Sequence, residues 1–97
     1  MAIQIRIYTI NRGALNQWTI EWKEMIKPLR EKLGFKILCA YTIEETNQFV
    51  WLLSYDGPSS WTTLDKAFHQ SDERRLMKPD PARNIARTEH YFIDPVE

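Results

Sequence analysis

Apolar positions in the first ten residues recur at every second place. Ile3, Ile5 and Ile7 alternate with Gln4, Arg6 and Tyr8, which predicts a strand over residues 3–10. Asn11-Arg12-Gly13 supplies the turn that follows. The period then lengthens. Leu15, Trp18, Trp22, Met25, Ile26, Leu29 and Leu33 recur at three- and four-residue steps, predicting one helical face over residues 14–33. Glu21, Lys23, Glu24, Lys27, Glu31 and Lys32 are assigned to its wet side. Pro28 lies inside this pattern, lacks an N–H donor and predicts a bend near Glu24. Gly34 ends the helix.

A second strand is read over residues 35–43. Glu44-Glu45-Thr46-Asn47 turns the chain into a third strand, Phe49 to Tyr55, and the two form a hairpin. After Asp56-Gly57-Pro58, a serine cap opens a helix with Trp61, Leu64, Ala67 and Phe68 inward. Ser71-Asp72-Glu73 caps a short segment over residues 74–78, and Pro79-Asp80-Pro81 breaks it. The last strand spans residues 85–93. The order β-α-β-β-α-β, over a single domain of residues 1–97, predicts an α+β, ferredoxin-like fold. Its four-stranded antiparallel sheet carries helices on one face.

The third strand is apolar on both sides. Phe49, Trp51, Leu53 and Tyr55 point one way, and Val50, Leu52 and Ser54 the other. Helices cover one face only, so the other needs a cover, and a second copy of the chain is the simplest. Which of the two sets meets the partner is left open by the pattern.

Composition narrows the function. Thirteen basic residues balance thirteen acidic ones, so no global field gathers nucleic acid or an anionic membrane. No run reaches membrane-spanning length, and no basic stretch leads into an apolar signal core. Cys39 is the single cysteine, which excludes an internal disulfide and fits a reducing cytoplasm; its default role is a buried, inert thiol. Three glycines cannot build a P-loop or a dinucleotide fingerprint.

The order and spacing of several short motifs carry a family resemblance. They are Ile5-Arg6-Ile7-Tyr8-Thr9, Gly13-Ala14-Leu15, Trp22-Lys23-Glu24, Ile26-Lys27-Pro28-Leu29 and Gly34-Phe35-Lys36. Phe49-Val50-Trp51-Leu52, Ser54-Tyr55-Asp56 and Tyr91-Phe92-Ile93-Asp94-Pro95-Val96 complete the set. Over nearly its whole length the chain resembles the NIPSNAP-type domains of the dimeric α+β barrel superfamily. The resemblance implies a barrel-like homodimer formed through the open sheet face, and it implies no particular reaction. That superfamily also includes cofactor-free monooxygenases, haem-degrading enzymes and small isomerases.

In such a fold the cavity lies between the sheet and its own helices. The candidate ligand-binding residues are Arg6, Trp22, Trp51, Tyr55 and Trp61, with Tyr41 also in the aromatic pool. The same aromatics also suit an ordinary core. The candidate catalytic residues are Tyr8, His69 and His90, since a hydroxyl and imidazoles can donate or take a proton near neutral pH. Arg6 projects from a central strand and needs a partner: Asp56, Glu89 or a bound anion. Arg74, Arg75, Lys78, Arg83 and Arg87 read either as an anion site or, more commonly, as a self-paired surface.

Two histidines without a convergent carboxylate spacing predict no metal. Trp61 and His69 echo a pair implied by the haem-degrading relatives, but the asparagine those relatives place on the first strand is absent. The expectation is therefore no cofactor, with haem as the alternative. Function divides between a homodimeric small-molecule-binding domain and a cofactor-independent monooxygenase or isomerase acting on an aromatic or carbonyl substrate.

Overall fold

A computed structural model describes residues 1–96; Glu97, the last residue of the domain read from sequence, lies outside the described residues. Among the described residues, four strands form one sheet: β1 (Ala2–Ile10), β2 (Lys36–Ile43), β3 (Gln48–Tyr55) and β4 (Ile85–Phe92). Their order is β2-β3-β1-β4 and every neighbouring pair is antiparallel. Between β1 and β2 run α1 (Leu15–Glu21) and α2 (Lys27–Lys32); between β3 and β4 run α3 (Trp61–Gln70) and α4 (Asp72–Arg75). This is the ferredoxin-like α+β arrangement.

The joints follow local chemistry. Ser60 caps α3 by accepting from the Thr63 N–H, and Ser71 caps α4 by accepting from the Arg74 N–H. Gly34 leaves α2 at φ +112°, a left-handed conformation that glycine adopts without strain. Asn47, at φ 56°, closes the hairpin between β2 and β3 and donates from its side chain to the Ile10 carbonyl at 2.6 Å. A short 3₁₀ turn over Pro81–Asn84 lies where sequence indicated only a break.

The bend expected from Pro28 takes a specific form. Trp22–Ile26 is a wide π-turn in which the Lys27 N–H reaches the Trp22 carbonyl, five residues back. Pro28 has no N–H to give to the Glu24 carbonyl, so the regular ladder cannot continue through that point. The wide turn winds the helix back by roughly a quarter turn. On an uninterrupted helix Arg30 would sit roughly 120° away from Trp18. Here both are 2% exposed.

The core packs between one sheet face and the helices. Tyr8, Phe49, Trp51 and Leu53 meet Trp18, Trp22, Ile26, Leu29 and Phe68 there. Trp22 stacks on Phe49 and Trp51 with ring centroids 5.0 and 5.4 Å apart. Pairing fixes the register that sequence left open. Trp51 lies opposite Arg6 and Ala40 on the covered face. Val50 and Leu52 lie opposite Ile7 and Ile5 on the bare one.

The first strand is consequently inverted. Gln4, Arg6 and Tyr8 are buried beneath the helices, while Ile3, Ile5 and Ile7 lie on the bare side. The bare face continues through Tyr41 and Tyr91, 67% and 54% exposed, and through half-buried Cys39, which is therefore not the core thiol expected. Strands of about 26 Å set 4.8 Å apart give this face roughly 500 Å². Part of this face is charged, since Arg87 and Glu89 lie on it; its apolar part centres on Ile3, Ile5, Ile7, Val50 and Leu52.

Glu21, assigned by pattern to the wet face, is buried instead. Its carboxylate accepts from Arg83 Nη1 and Nη2 at 2.8 and 2.7 Å, from Gln17 at 2.6 Å and from Asn84 at 3.0 Å. This clamp ties α1 to the turn that launches β4. The forked hydrogen bond from Arg83 holds the Glu21 carboxyl below its ordinary 4.5, against the opposing effect of burial. A carboxylate depressed on folding stabilises fully above its unfolded value, and that support is lost as pH falls through the folded value. Glu21→Gln should therefore cost about 1.5–3 kcal/mol at pH 7. The difference in melting temperature between the two proteins should narrow toward pH 3. A gap of equal size at both pH values would show that the charge of Glu21 is not what holds the clamp.

Candidate functional site

Three elements converge on one point inside the fold. Arg6 rises from the centre of the sheet, Arg30 descends from α2, and Asp65 enters from α3. Arg30 Nη1 donates to Asp65 Oδ1 at 2.7 Å, and Arg6 Nη2 donates to the same oxygen at 3.3 Å. Arg6 Nε also donates to Gln4 Oε1 at 2.7 Å, and its Nη1 donates to the Tyr8 hydroxyl at 3.3 Å. Tyr8 accepts in that contact, so its own proton remains free to donate elsewhere. The partner of Arg6 is thus Asp65. The two carboxylates proposed from sequence are placed elsewhere: Asp56 lies 3.9 Å from the N-terminal amine, and Glu89 pairs with Arg87 on the bare face.

Aromatic rings hold the guanidinium groups. Arg30 lies 3.8 Å from the centroid of Phe68 and 4.9 Å from that of Phe35, and Arg6 lies 5.7 Å from the ring of Trp51. Burial, together with the charge of Arg6, pulls the pKa of Arg30 down, with Asp65 opposing. Burial alone would raise Asp65; the hydrogen bond from Arg30 and the charges of both arginines outweigh it, and the carboxyl ends below its ordinary value.

Above this cluster opens a cavity of about 480 Å³, within the range of small-molecule sites. Tyr8, Arg6, Trp51, Trp61, His69 and His90 all line it, as sequence proposed. Its wall also includes Trp18, Ile26, Phe68 and Phe92. Trp61 stacks edge-on against Phe92 at 5.2 Å. Three residues proposed from sequence lie outside. Trp22 is spent on the core against Phe49 and Trp51. Tyr55 lies beyond the other side of Phe35, where its hydroxyl accepts from the Ser59 N–H at 3.2 Å. Tyr41 faces away on the bare side of the sheet.

His69 is half-exposed at the cavity wall, its Nε2 3.8 Å from Asp65 Oδ2, one turn earlier on α3. Burial lowers its pKa, Asp65 pulls it up, and Arg30, Arg6 and Arg74 push it further down, leaving it below 6.5 and neutral at pH 7. A neutral imidazole can accept a proton. The fit to a haem is poor, because Nε2, the nitrogen an iron would take, is turned toward a carboxylate. Among the described residues no group of three His, Cys, Asp or Glu side chains could hold a metal ion. No helix among them is long and apolar enough to cross a membrane.

Arg30 and Asp65 were not read as site residues. Ala67, expected inward on α3, is exposed, and Asp65 is turned in toward the cavity. The four arginines of the last third are each paired with an acid. Arg83 is held by Glu21, Arg75 by Asp72, Arg87 by Glu89 and Arg74 by Asp80 at 3.1 Å.

No protein-family model and no curated protein matches the chain. Solved structures do match in fold. An uncharacterised NIPSNAP domain protein from Burkholderia xenovorans superposes with a TM-score of 0.84 at 15% identity, covering 99% of this chain and 95% of that one. A NIPSNAP family protein from Agrobacterium tumefaciens gives 0.86 at 12% identity, covering 99% and 93%. A putative antibiotic biosynthesis monooxygenase from Bacteroides thetaiotaomicron gives 0.71 at 16%, covering 99% and 90%. The chain has the fold these proteins share.

Asp65→Asn should leave two buried guanidinium groups without a counter-charge and cost about 2–4 kcal/mol in urea unfolding. It should also move the His69 titration to lower pH, because Asp65 is the group pulling that pKa up. An unmoved or raised His69 titration, followed by NMR, would refute this account of the cluster.

Proposed function

We propose that this chain, sharing the NIPSNAP fold, acts as a homodimer that binds a small organic molecule between its sheet and its helices. The inverted first strand carries this reading. A strand that served only to fold a monomer would bury its isoleucines and leave its arginine wet. Here Gln4, Arg6 and Tyr8 line a cavity, and Ile3, Ile5 and Ile7 are left for a partner. A second copy pressing sheet on sheet would cover Ile5, Ile7, Val50 and Leu52 together, with Tyr41 and Tyr91 around them.

A second reading is favoured by His69. In a cofactor-independent monooxygenase or an isomerase, a neutral base takes a proton from carbon beside a carbonyl, and donors stabilise the enolate oxygen. His69 would take the proton, while Arg6 and the Tyr8 hydroxyl would donate to the oxygen. In the isomerase the proton returns to another carbon; in the oxygenase the carbanion gives one electron to O2, the resulting radical and superoxide join as a C–O-bonded peroxide that takes up the proton, and loss of water leaves one oxygen as a new carbonyl. One solved structure of this fold is described as a putative monooxygenase, which suits that chemistry.

Native mass spectrometry of the protein as purified tests the assembly. Two chains are expected, and an added small mass would be a candidate ligand. A bare single chain at micromolar concentration would overturn the homodimer. Leu52→Lys or Ile5→Lys should give monomeric or poorly soluble protein, while the exposed Thr62→Lys on α3 should leave the assembly unchanged. For the enzymatic reading, His69→Gln should lower turnover of any substrate found by about 10²-fold or more, with binding preserved. Unchanged turnover would remove His69 as the base.

A further inference from the structure

Charge in the cavity does not balance. Arg6 and Arg30 contribute +2 and Asp65 contributes −1, leaving +1 at the floor. Asp65 is the sole acidic side chain among the described residues lining the cavity. The other charged group there, Arg74, is already paired with Asp80. His69 is neutral, and His90 lies on the edge strand opposite Arg6.

The hydrogen-bond inventory is also unfilled. Each guanidinium has five N–H donors. Arg6 uses one toward each of Gln4, Tyr8 and Asp65. Arg30 has one side-chain hydrogen bond among the described residues, to Asp65, although it is 2% exposed. Its buried Nε has no partner. Phe68 covers a face of that guanidinium, which satisfies none of the in-plane N–H groups. A buried, unmatched cation with spare planar donors favours a planar anion, as arginine favours carboxylate. Trp18, Trp51, Trp61, Phe68 and Phe92 around it favour a flat, apolar body.

We propose that the cavity's ligand is a ring-bearing monocarboxylate, its carboxylate set on Arg6 and Arg30 and its ring among the tryptophans. The proposal rests on the small-molecule reading above and specifies its charge. Asp65 positions both arginines and limits the site to one negative charge on the ligand.

Isothermal titration of the wild-type protein with three isosteric pairs tests it. The pairs are benzoate and benzamide, 2-naphthoate and 2-naphthamide, and biphenyl-4-carboxylate and its amide. At least one acid should bind tenfold or more tighter than its amide, and Arg6→Met should bring that pair within about threefold. Thermal unfolding of Arg6→Met establishes that the variant is folded; where it is not, the wild-type comparison alone decides. Equal affinity for acid and amide would overturn the anion proposal and leave the small-molecule cavity standing. Absence of binding by all six compounds at millimolar concentration would overturn both.

Discussion

The first strand sets the terms for everything around it. Its alternation places Gln4, Arg6 and Tyr8 on the covered side and three isoleucines on the bare side. A strand's two faces are fixed relative to each other, because a slip of one residue exchanges them completely. In this register the helices must accommodate a buried cation, and the opposite face must tolerate or hide a sheet of branched apolar side chains. Reversing the register would satisfy a monomer better at this strand alone. It is prevented by β3, whose Phe49, Trp51 and Leu53 are too bulky to leave the helix side without emptying the core.

Burying Arg6 creates a debt that Asp65 settles only in part. The same carboxylate oxygen takes hydrogen bonds from a strand arginine and a helix arginine, which pins α3 across the sheet and α2. An ion cluster of this kind is poor value as a stabiliser, since apolar residues of equal volume would fold as well or better. Its position at the floor of a cavity, with donors left over, makes more sense as recognition than as architecture. The neighbouring imidazole is held below its ordinary pKa first by burial, with the arginines adding to the effect and Asp65 opposing it. The charge imbalance is what an anion in the cavity would answer, and burial is what favours a neutral base beside it.

Much of the fold was legible in the sequence because it depends on patterns that sequence displays directly. The change from a two-residue to a three-to-four-residue period located the strands and helices, and serines, glycines and prolines marked their ends. The antiparallel pairing of β1, β2, β3 and β4 followed from their order. The site was legible at its strand positions and at Trp61 and His69 on α3, and not at its buried helix charges. Arg6 and Tyr8 could be placed because alternation is rigid. Glu21, Arg30 and Asp65 were missed, although each carried a signal. Glu21 is three after Trp18, Arg30 is four after Ile26, and Asp65 is four after Trp61 and three before Phe68. A charge at a stripe position is a charge about to be buried. Arg30 was further concealed by the π-turn, which rotates it inward from a face where a regular helix would leave it wet. Trp22 and Tyr55 erred the other way: being aromatic and inward says nothing about whether a residue fills the core or borders a space within it.

The fold alone cannot assign chemistry, since proteins described as uncharacterised and as monooxygenases share it. What distinguishes one such protein from another is what it places at the few inward positions that border the cavity rather than fill the core. In this chain those positions include the guanidinium groups of Arg6 and Arg30, one carboxylate, one phenol and two imidazoles within an aromatic wall. The guanidinium groups are committed to the protein at one edge and uncommitted at another. Arg83 places three of its five donors on protein acceptors, both oxygens of Glu21 and the Asp80 carbonyl, and its half-exposed side chain leaves the others to water. Arg30, more deeply buried than Arg83, leaves most of its own unfilled. The contrast lies within a single molecule, between a clamp and a cradle, and it separates the arginine that holds the fold from the one we propose holds a ligand.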